Sequence, residues 1–123
     1  MLENTRVLIV EDEQMIAMMI ADLVAVAGGS VLGPVPTVAE AMALIDVEQV
    51  DAAILDGNLA DRDVTPVALR LLLNDVPTIV YSGKGLPDEL ATCHPDMHVI
   101  LKPTSAAVVV GWLGQLVKRG REQ

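Results

Sequence analysis

Short apolar runs alternate with segments of helical spacing along the chain, and this alternation constrains its fold more than any other feature. The runs are rich in β-branched and aliphatic residues, and they lie at Arg6–Val10, Ser30–Val35, 51–55, 78–81 and 99–101. Several are apolar at consecutive positions, as strands buried on both faces are. We therefore predict a strand in each run.

The segments between these runs carry helix signals. The apolar stripe predicted for the first helix consists of Ile16, Met19, Ile20, Leu23, Val24 and Ala27. Gly28-Gly29 then marks the end of that helix. Thr37 is the predicted N-cap of the second helix, with Glu40 as its capping-box partner. Further helices are predicted over 64–74, 87–93 and 105–118, the fourth being short because glycines and prolines surround it.

Five strands alternating with five helices in 123 residues predict an α/β fold. The most favoured topology at this size is the flavodoxin-like (βα)5 fold, a five-stranded parallel sheet in the order 2-1-3-4-5 with helices on both faces. We expect one domain over residues 1–123, with no output domain. In such a sheet, functional residues gather at the carboxyl ends of the strands near the switch point.

Composition excludes several classes of function. Acidic residues outnumber basic ones by 17 to 8, which gives a net charge of −9. A nucleic-acid-binding protein needs a basic face, and one that binds single strands needs aromatic platforms, but this chain has one Tyr, one Trp and no Phe. The same acidity disfavours binding to an anionic membrane surface. We therefore expect protein partners, and a monomer or weak dimer.

The N-terminal sequence and the cysteine content indicate a cytoplasmic protein. Cys93 is the only cysteine, so an intrachain disulfide and a cysteine-rich zinc site are both excluded. The N-terminus has no signal-peptide pattern. The longest uncharged run, 23–39, is interrupted by glycines and prolines and is not a membrane-spanning segment.

Polar side chains follow four of the five predicted strands. They are Glu11, Asp12 and Glu13 after the first strand, Asp56 after the third, Ser82 after the fourth and Lys102 after the fifth. In the predicted strand order, these four strands are neighbours. Their carboxyl ends therefore bring two or three carboxylates, one hydroxyl and one ammonium to the same place.

Carboxylates placed this close together require a compensating charge. Two unit charges 4 Å apart repel by roughly 4 kcal/mol at an effective dielectric constant near 20. One lysine does not offset three carboxylates, whereas Mg²⁺ prefers oxygen ligands and also binds phosphate oxygens. The pattern therefore indicates a Mg²⁺ site, and Lys102 and Ser82 indicate donors for a second anion such as phosphate.

The arrangement resembles the receiver domain of bacterial two-component response regulators, of the single-domain type, over residues 6–117. The resemblance rests on the acidic pair Glu11-Asp12, on Asp56, on Ser82 and on Lys102-Pro103, each at a strand end and in this order. A finer similarity, to an alphaproteobacterial subset, rests on the loop Ser82-Gly83-Lys84-Gly85 and on short matches elsewhere.

The resemblance implies a role for each site residue. Asp56 takes a phosphoryl group from the phosphohistidine of a sensor histidine kinase or phosphotransfer protein. Glu11, Asp12, Asp56 and the backbone carbonyl of Asn58 bind Mg²⁺. Lys102 and Ser82 contact the phosphoryl group, and the peptide bond between Lys102 and Pro103 is cis. The chain is then a signalling switch and not an enzyme, beyond self-catalysed phosphotransfer and dephosphorylation.

Two positions depart from the usual receiver pattern. Many receivers have an aromatic residue three positions before the lysine, where this chain has Val99; Tyr81 is the only candidate ring, and strand alternation directs it away from Ser82. Lys84 lies two residues past Ser82, where it either shields the phosphoryl group from water or is an ordinary solvated lysine.

Simpler interpretations of the same residues stay open at this point. Asp56-Gly57-Asn58 is good turn chemistry, and the acidic run after the first strand suits the first turn of a helix. Packing is the expected role of Met15, Met18, Met19, Cys93 and Trp112, and a surface loop is expected for His94 and His98.

Alternative functions differ in how a phosphoryl group is used, or need motifs that are absent. The chain could drain phosphate from a shared kinase, or be a receiver fragment of a longer regulator or hybrid kinase. Phosphatases of the haloacid dehalogenase type need Asp-x-Asp after the first strand, and dinucleotide enzymes need Gly-x-Gly-x-x-Gly there. Neither motif is present.

Overall fold

Five parallel strands and five helices alternate along the chain in the computed structural model, which describes residues 1–122. The strands are β1 (Arg6–Val10), β2 (Ser30–Val35), β3 (Ala52–Leu55), β4 (Thr78–Ser82) and β5 (His98–Leu101). The helices are α1 (Gln14–Val26), α2 (Val38–Val47), α3 (Thr65–Leu73), α4 (Asp88–Cys93) and α5 (Ala106–Arg121).

The strands form one sheet in the order β2-β1-β3-β4-β5, and all neighbours are parallel. The predicted fold class and strand order are therefore confirmed. Strand bounds differ from the predictions by a residue at most. One consequence is that His98, predicted in a surface loop, is the first residue of β5, because its backbone pairs with Ile79 of β4.

Each face of the sheet has its own core, because successive strand residues point to opposite sides. On one face, Val7, Ile9 and Ile54 pack with the inner sides of α1 and α5. On the other, Leu8, Val10 and Leu55 pack with α2, α3 and α4. The strands are apolar at consecutive positions because helices cover both faces.

Side-chain caps fix the starts of α2 and α5, through Thr37 and Ser105. The Thr37 hydroxyl oxygen accepts a hydrogen bond from the Glu40 backbone N–H at 3.2 Å, as predicted for the cap of α2. The Glu40 carboxylate accepts from the Thr37 hydroxyl at 2.9 Å rather than from its backbone N–H. Helix α4 has six residues, in agreement with the prediction that it is short.

Three packing predictions are wrong. Met15, Met18 and Met19 are 82%, 57% and 52% exposed, because α1 buries Ala17, Ile20 and Val24 and turns its methionines outward. Cys93 is also exposed, at the end of the short α4. Trp112 is 37% exposed and meets the His98 ring edge-on instead of entering the core.

Between residues 1 and 122, the structure contains no helix with the length and apolar character that a membrane span requires.

Candidate functional site

A cleft opens at the carboxyl ends of β1, β3, β4 and β5, where the sheet order brings the loops after these strands together. Its lining includes the predicted site residues and their neighbours: Asp12, Glu13, Asp56, Asn58, Ser82, Gly83, Lys84 and Lys102. Glu11 lies beneath this surface and is buried. Asp56 directly follows the last residue of β3. Its backbone N–H donates to the Val10 carbonyl of β1 at 2.7 Å, and this bond fixes the position of Asp56 between the two strands.

Three carboxylates meet in the cleft. Glu11, Asp12 and Asp56 each offer an oxygen, and these oxygens lie within 4.8 Å of one another. Burial raises the pKa of Glu11 to about 7, with the neighbouring Asp56 carboxyl as the next cause. Burial also raises the pKa of Asp12, again with a contribution from the charge of Asp56. Full ionisation of these carboxyl groups together is therefore unfavourable unless a cation binds among them.

Lys102 supplies the ammonium of the site. Its Nζ lies 2.8 Å from Glu11 Oε1, 3.4 Å from Glu13 Oε1 and 3.6 Å from Asp56 Oδ2. Burial by itself lowers the pKa of Lys102, but the hydrogen bond to Glu11 and the surrounding carboxylates outweigh it, so the pKa is raised. Lys102 is therefore fully protonated at neutral pH.

The remaining predicted residues surround Asp56. Ser82 is buried, and its hydroxyl oxygen accepts from the Lys84 backbone N–H at 3.2 Å, so the hydroxyl proton stays free to donate. The Asn58 backbone N–H points to Asp56 Oδ1 at 3.4 Å. Lys84 is exposed at the rim of the cleft, and the peptide bond between Lys102 and Pro103 is cis.

Solved structures similar to this chain share its fold over nearly its whole length. The solution structure of SdrG from Sphingomonas melonis Fr1 is 37% identical, with 92% of this chain and 96% of that chain covered and a TM-score of 0.76. The response regulator REC domain of PhyR from Erythrobacter litoralis is 28% identical over 94% of this chain and 92% of its own, with a TM-score of 0.80. This chain belongs to the response regulator receiver domains.

Other matches extend the comparison. The response regulator PhyR from Brucella abortus is 30% identical over 96% of this receiver domain but only 49% of its own chain, with a TM-score of 0.78. Several of these neighbours are alphaproteobacterial, while the finer similarity of the loop after β4 stays a prediction. No protein-family model and no curated protein matches the sequence.

Gly57 has a packing role in the receiver domain that the sequence did not reveal. A Cβ at this position would lie 2.8 Å from Ser82 Oγ and 3.3 Å from the Gly85 carbonyl oxygen. The lack of a side chain therefore lets the loop after β4 close directly against the residue that follows Asp56. The sequence indicated only that Gly57 belongs to the turn motif Asp56-Gly57-Asn58.

Asp61 was also missed by sequence reasoning. It lies in the loop between β3 and α3, and its two carboxylate oxygens accept from the Val38 and Ala39 backbone N–H groups at 2.9 and 3.1 Å. These are the first residues of α2, so Asp61 caps a helix that ends before β3 begins. A local capping motif could not reveal this contact, because the cap and its helix are more than 20 residues apart.

Proposed function

We propose that this receiver domain accepts a phosphoryl group on Asp56 from the phosphohistidine of a sensor histidine kinase or phosphotransfer protein. The observation that carries the proposal is the convergence of Asp56 with Glu11, Asp12 and Lys102 in a single cleft. Phosphorylation then alters the binding of a partner protein. The receiver fold of the solved neighbours supports a signalling role of this kind.

Phosphoryl transfer requires positioning and charge neutralisation more than covalent chemistry. An oxygen of the Asp56 carboxylate forms a bond to phosphorus while the bond from phosphorus to the histidine nitrogen breaks. The electron pair of the broken bond stays on the imidazole nitrogen, which takes up a proton. Asp56 is suited to this attack because its backbone is fixed between β1 and β3 and its carboxylate faces the cleft.

The carboxylates fit a divalent cation with a preference for oxygen. Three carboxylate oxygens lie within 4.8 Å of one another, and Lys102 is the ammonium among them. Mg²⁺ would be held by Glu11, Asp12 and Asp56 together with the backbone carbonyl of Asn58. When bound, it supplies positive charge that offsets the charge of the carboxylates and of the incoming phosphoryl group.

The other residues of the cleft act on the phosphoryl group itself. Lys102 gives up its hydrogen bond to Glu11 and pairs with one oxygen of the phosphoryl group. The Ser82 hydroxyl donates its free proton to another of these oxygens. Lys84 at the rim reaches over the group and shields it from attacking water. Self-catalysed phosphotransfer and dephosphorylation are then the only chemical steps that the domain performs.

Intact-mass measurement tests the proposal. The full chain is incubated with Mg²⁺ and acetyl phosphate, and we expect a gain of one phosphoryl group that is absent in Asp56→Asn and absent when EDTA removes the metal. Asp22→Asn is the matched control, because Asp22 is exposed on α1 and lies outside the cleft. Phosphorylation that survives in Asp56→Asn, or fails in the wild type, would contradict the proposal.

A further inference from the structure

Tyr81 lies between the core and the cleft, and it contacts both Lys102 and the loop that carries Lys102. The ring is 5% exposed, and its centroid is 5.5 Å from Lys102 Nζ, within the range of a cation–π contact. The Tyr81 hydroxyl donates a hydrogen bond to the Thr104 backbone carbonyl. Thr104 is two residues past Lys102, just before α5 begins.

The pairing of β4 with β5 produces this arrangement. Tyr81 pairs with Ile100 and points to the core shared with α1 and α5, away from the side chain of Ser82. The Lys102 backbone N–H donates to the Ser82 carbonyl at 3.0 Å, so Lys102 leaves the sheet directly beside Tyr81. The ring therefore reaches the site from the opposite face, although strand alternation turns it away from Ser82.

Lys102 needs such a support because its ammonium has competing partners. Its four-carbon stem has several rotatable bonds, and three carboxylates lie within 3.6 Å of Nζ. One of them, Glu13, is 60% exposed and draws the ammonium toward solvent. The electron-rich face of a buried ring holds a cation without neutralising it, which leaves the ammonium free to pair with a phosphoryl oxygen.

We propose that Tyr81 is a positioning residue for Lys102, acting through its ring on the ammonium and through its hydroxyl on the following loop. The inference rests on the proposed function, since Lys102 is there the partner of the phosphoryl group. It also assigns a role to the chain's single tyrosine, in a receiver that has Val99 where many others have an aromatic residue.

A double-mutant cycle with Lys102→Gln tests whether Tyr81 acts through Lys102. The rate of phosphorylation by acetyl phosphate is measured at saturating Mg²⁺. We expect Tyr81→Leu to slow it roughly fivefold, the size of a lost cation–π contact, and Tyr81→Phe, which keeps the ring, to slow it less. In the Lys102→Gln background, Tyr81→Leu should have no further effect. An equal slowing in both backgrounds would overturn the inference, because it would indicate a general packing defect.

A spectroscopic measurement tests the contact without phosphorylation. In protein labelled with ¹³C at lysine, the Lys102 Cε resonance is assigned by its absence in Lys102→Gln. We expect a ring-current shift in the wild type and in Tyr81→Phe that is lost in Tyr81→Leu. If Tyr81→Leu does not fold by circular dichroism, Tyr81→Met replaces it in both experiments. A wild-type Lys102 resonance without a ring-current shift would overturn the inference.

The two measurements separate this inference from the proposed function. If the wild type shows the ring-current shift but is not phosphorylated by acetyl phosphate, the contact is supported and the phosphoacceptor role is contradicted. If Asp56 is phosphorylated in the wild type and Tyr81→Leu leaves the phosphorylation rate unchanged, only the positioning role is contradicted.

Discussion

Glu11 is a carboxyl group in a place where burial opposes its charge, and this conflict defines the site at the scale of single residues. Burial and the neighbouring Asp56 raise the pKa of Glu11 to about 7, while the Lys102 ammonium 2.8 Å away favours the ionised form. The three carboxyls therefore form a group that gains from binding a cation. The hydrogen bond to Glu11 and the surrounding carboxylates explain why the pKa of Lys102 is raised although its side chain is only 14% exposed.

Gly57→Ala is expected to destabilise the domain by about 1–3 kcal/mol, the usual cost of overpacking. The added methyl group would lie 2.8 Å from Ser82 Oγ, and it would push the loop after β4 away from Asp56. The free energy of unfolding in urea measures the effect. Gly83→Ala is the matched control, because a Cβ there meets nothing within 4 Å. Equal stability of the two variants would show that the close packing at Gly57 is not required.

Lys84→Ala is expected to shorten the lifetime of the phosphorylated state, by up to about fivefold, because an exposed charge contributes at most about 1 kcal/mol. The loss of the phosphoryl group from the purified phosphoprotein is followed over time. Lys84→Arg should keep the lifetime, and Lys118→Ala near the end of α5 controls for a change in net charge. An unchanged lifetime in Lys84→Ala would assign Lys84 to ordinary solvated surface.

At the scale of elements, the loop between β3 and α3 links the site to α2. The loop begins with Asp56, directly after β3. The Gly57 backbone carbonyl accepts a hydrogen bond from the Val64 backbone N–H at 3.0 Å, which holds the two ends of the loop together. Asp61 at the far side of the loop caps α2 with both carboxylate oxygens. Movement of the loop therefore changes the contact with the start of α2.

The capping role of Asp61 gives a pH-dependent contribution to stability. Hydrogen bonds from the Val38 and Ala39 backbone N–H groups hold the pKa of Asp61 below its usual 3.8. A lowered pKa stabilises the fold at pH values above 3.8, and this stabilisation is lost as the pH falls through the lowered value. The urea midpoint of the wild type should therefore exceed that of Asp61→Asn at pH 6, and the difference should shrink below pH 4. A difference independent of pH would contradict the ionic cap.

At the scale of the whole molecule, one sheet separates two cores. Leu113 of α5 lies in the core on one face and Leu71 of α3 in the core on the other, and both are fully buried. Every strand from β1 to β4 contributes residues to both cores, so neither helix layer keeps its packing surface if the sheet is lost. The molecule should therefore unfold as one cooperative unit.

Leu71→Ala tests this cooperativity. The cavity it leaves should lower the free energy of unfolding by about 2–5 kcal/mol. Trp112 is the chain's only tryptophan and lies on α5, on the opposite side of the sheet from Leu71. The unfolding midpoint from its fluorescence should fall together with the midpoint from far-ultraviolet circular dichroism. A fluorescence midpoint that stays at the wild-type value would show that the two faces unfold separately.

The sequence by itself determined the fold class, the strand order and the residues at each strand end. The reason is that side-chain periodicity is a local property, and a parallel sheet brings the ends of its strands to one edge. Asp56, Glu11, Asp12, Ser82 and Lys102 could therefore be placed in one cleft before the structure was known.

Only the tertiary structure decided how helices are turned and which distant residues meet. The methionines of α1 point outward because of the rotation of that helix about its axis. The apolar pattern in the sequence determines this rotation only to within one or two residues. The Asp61 cap, the packing of Gly57 against Ser82 and the contact of Tyr81 with Lys102 each join residues at least 20 positions apart. Such contacts arise from the pairing of whole elements, so no local pattern in the chain encodes them.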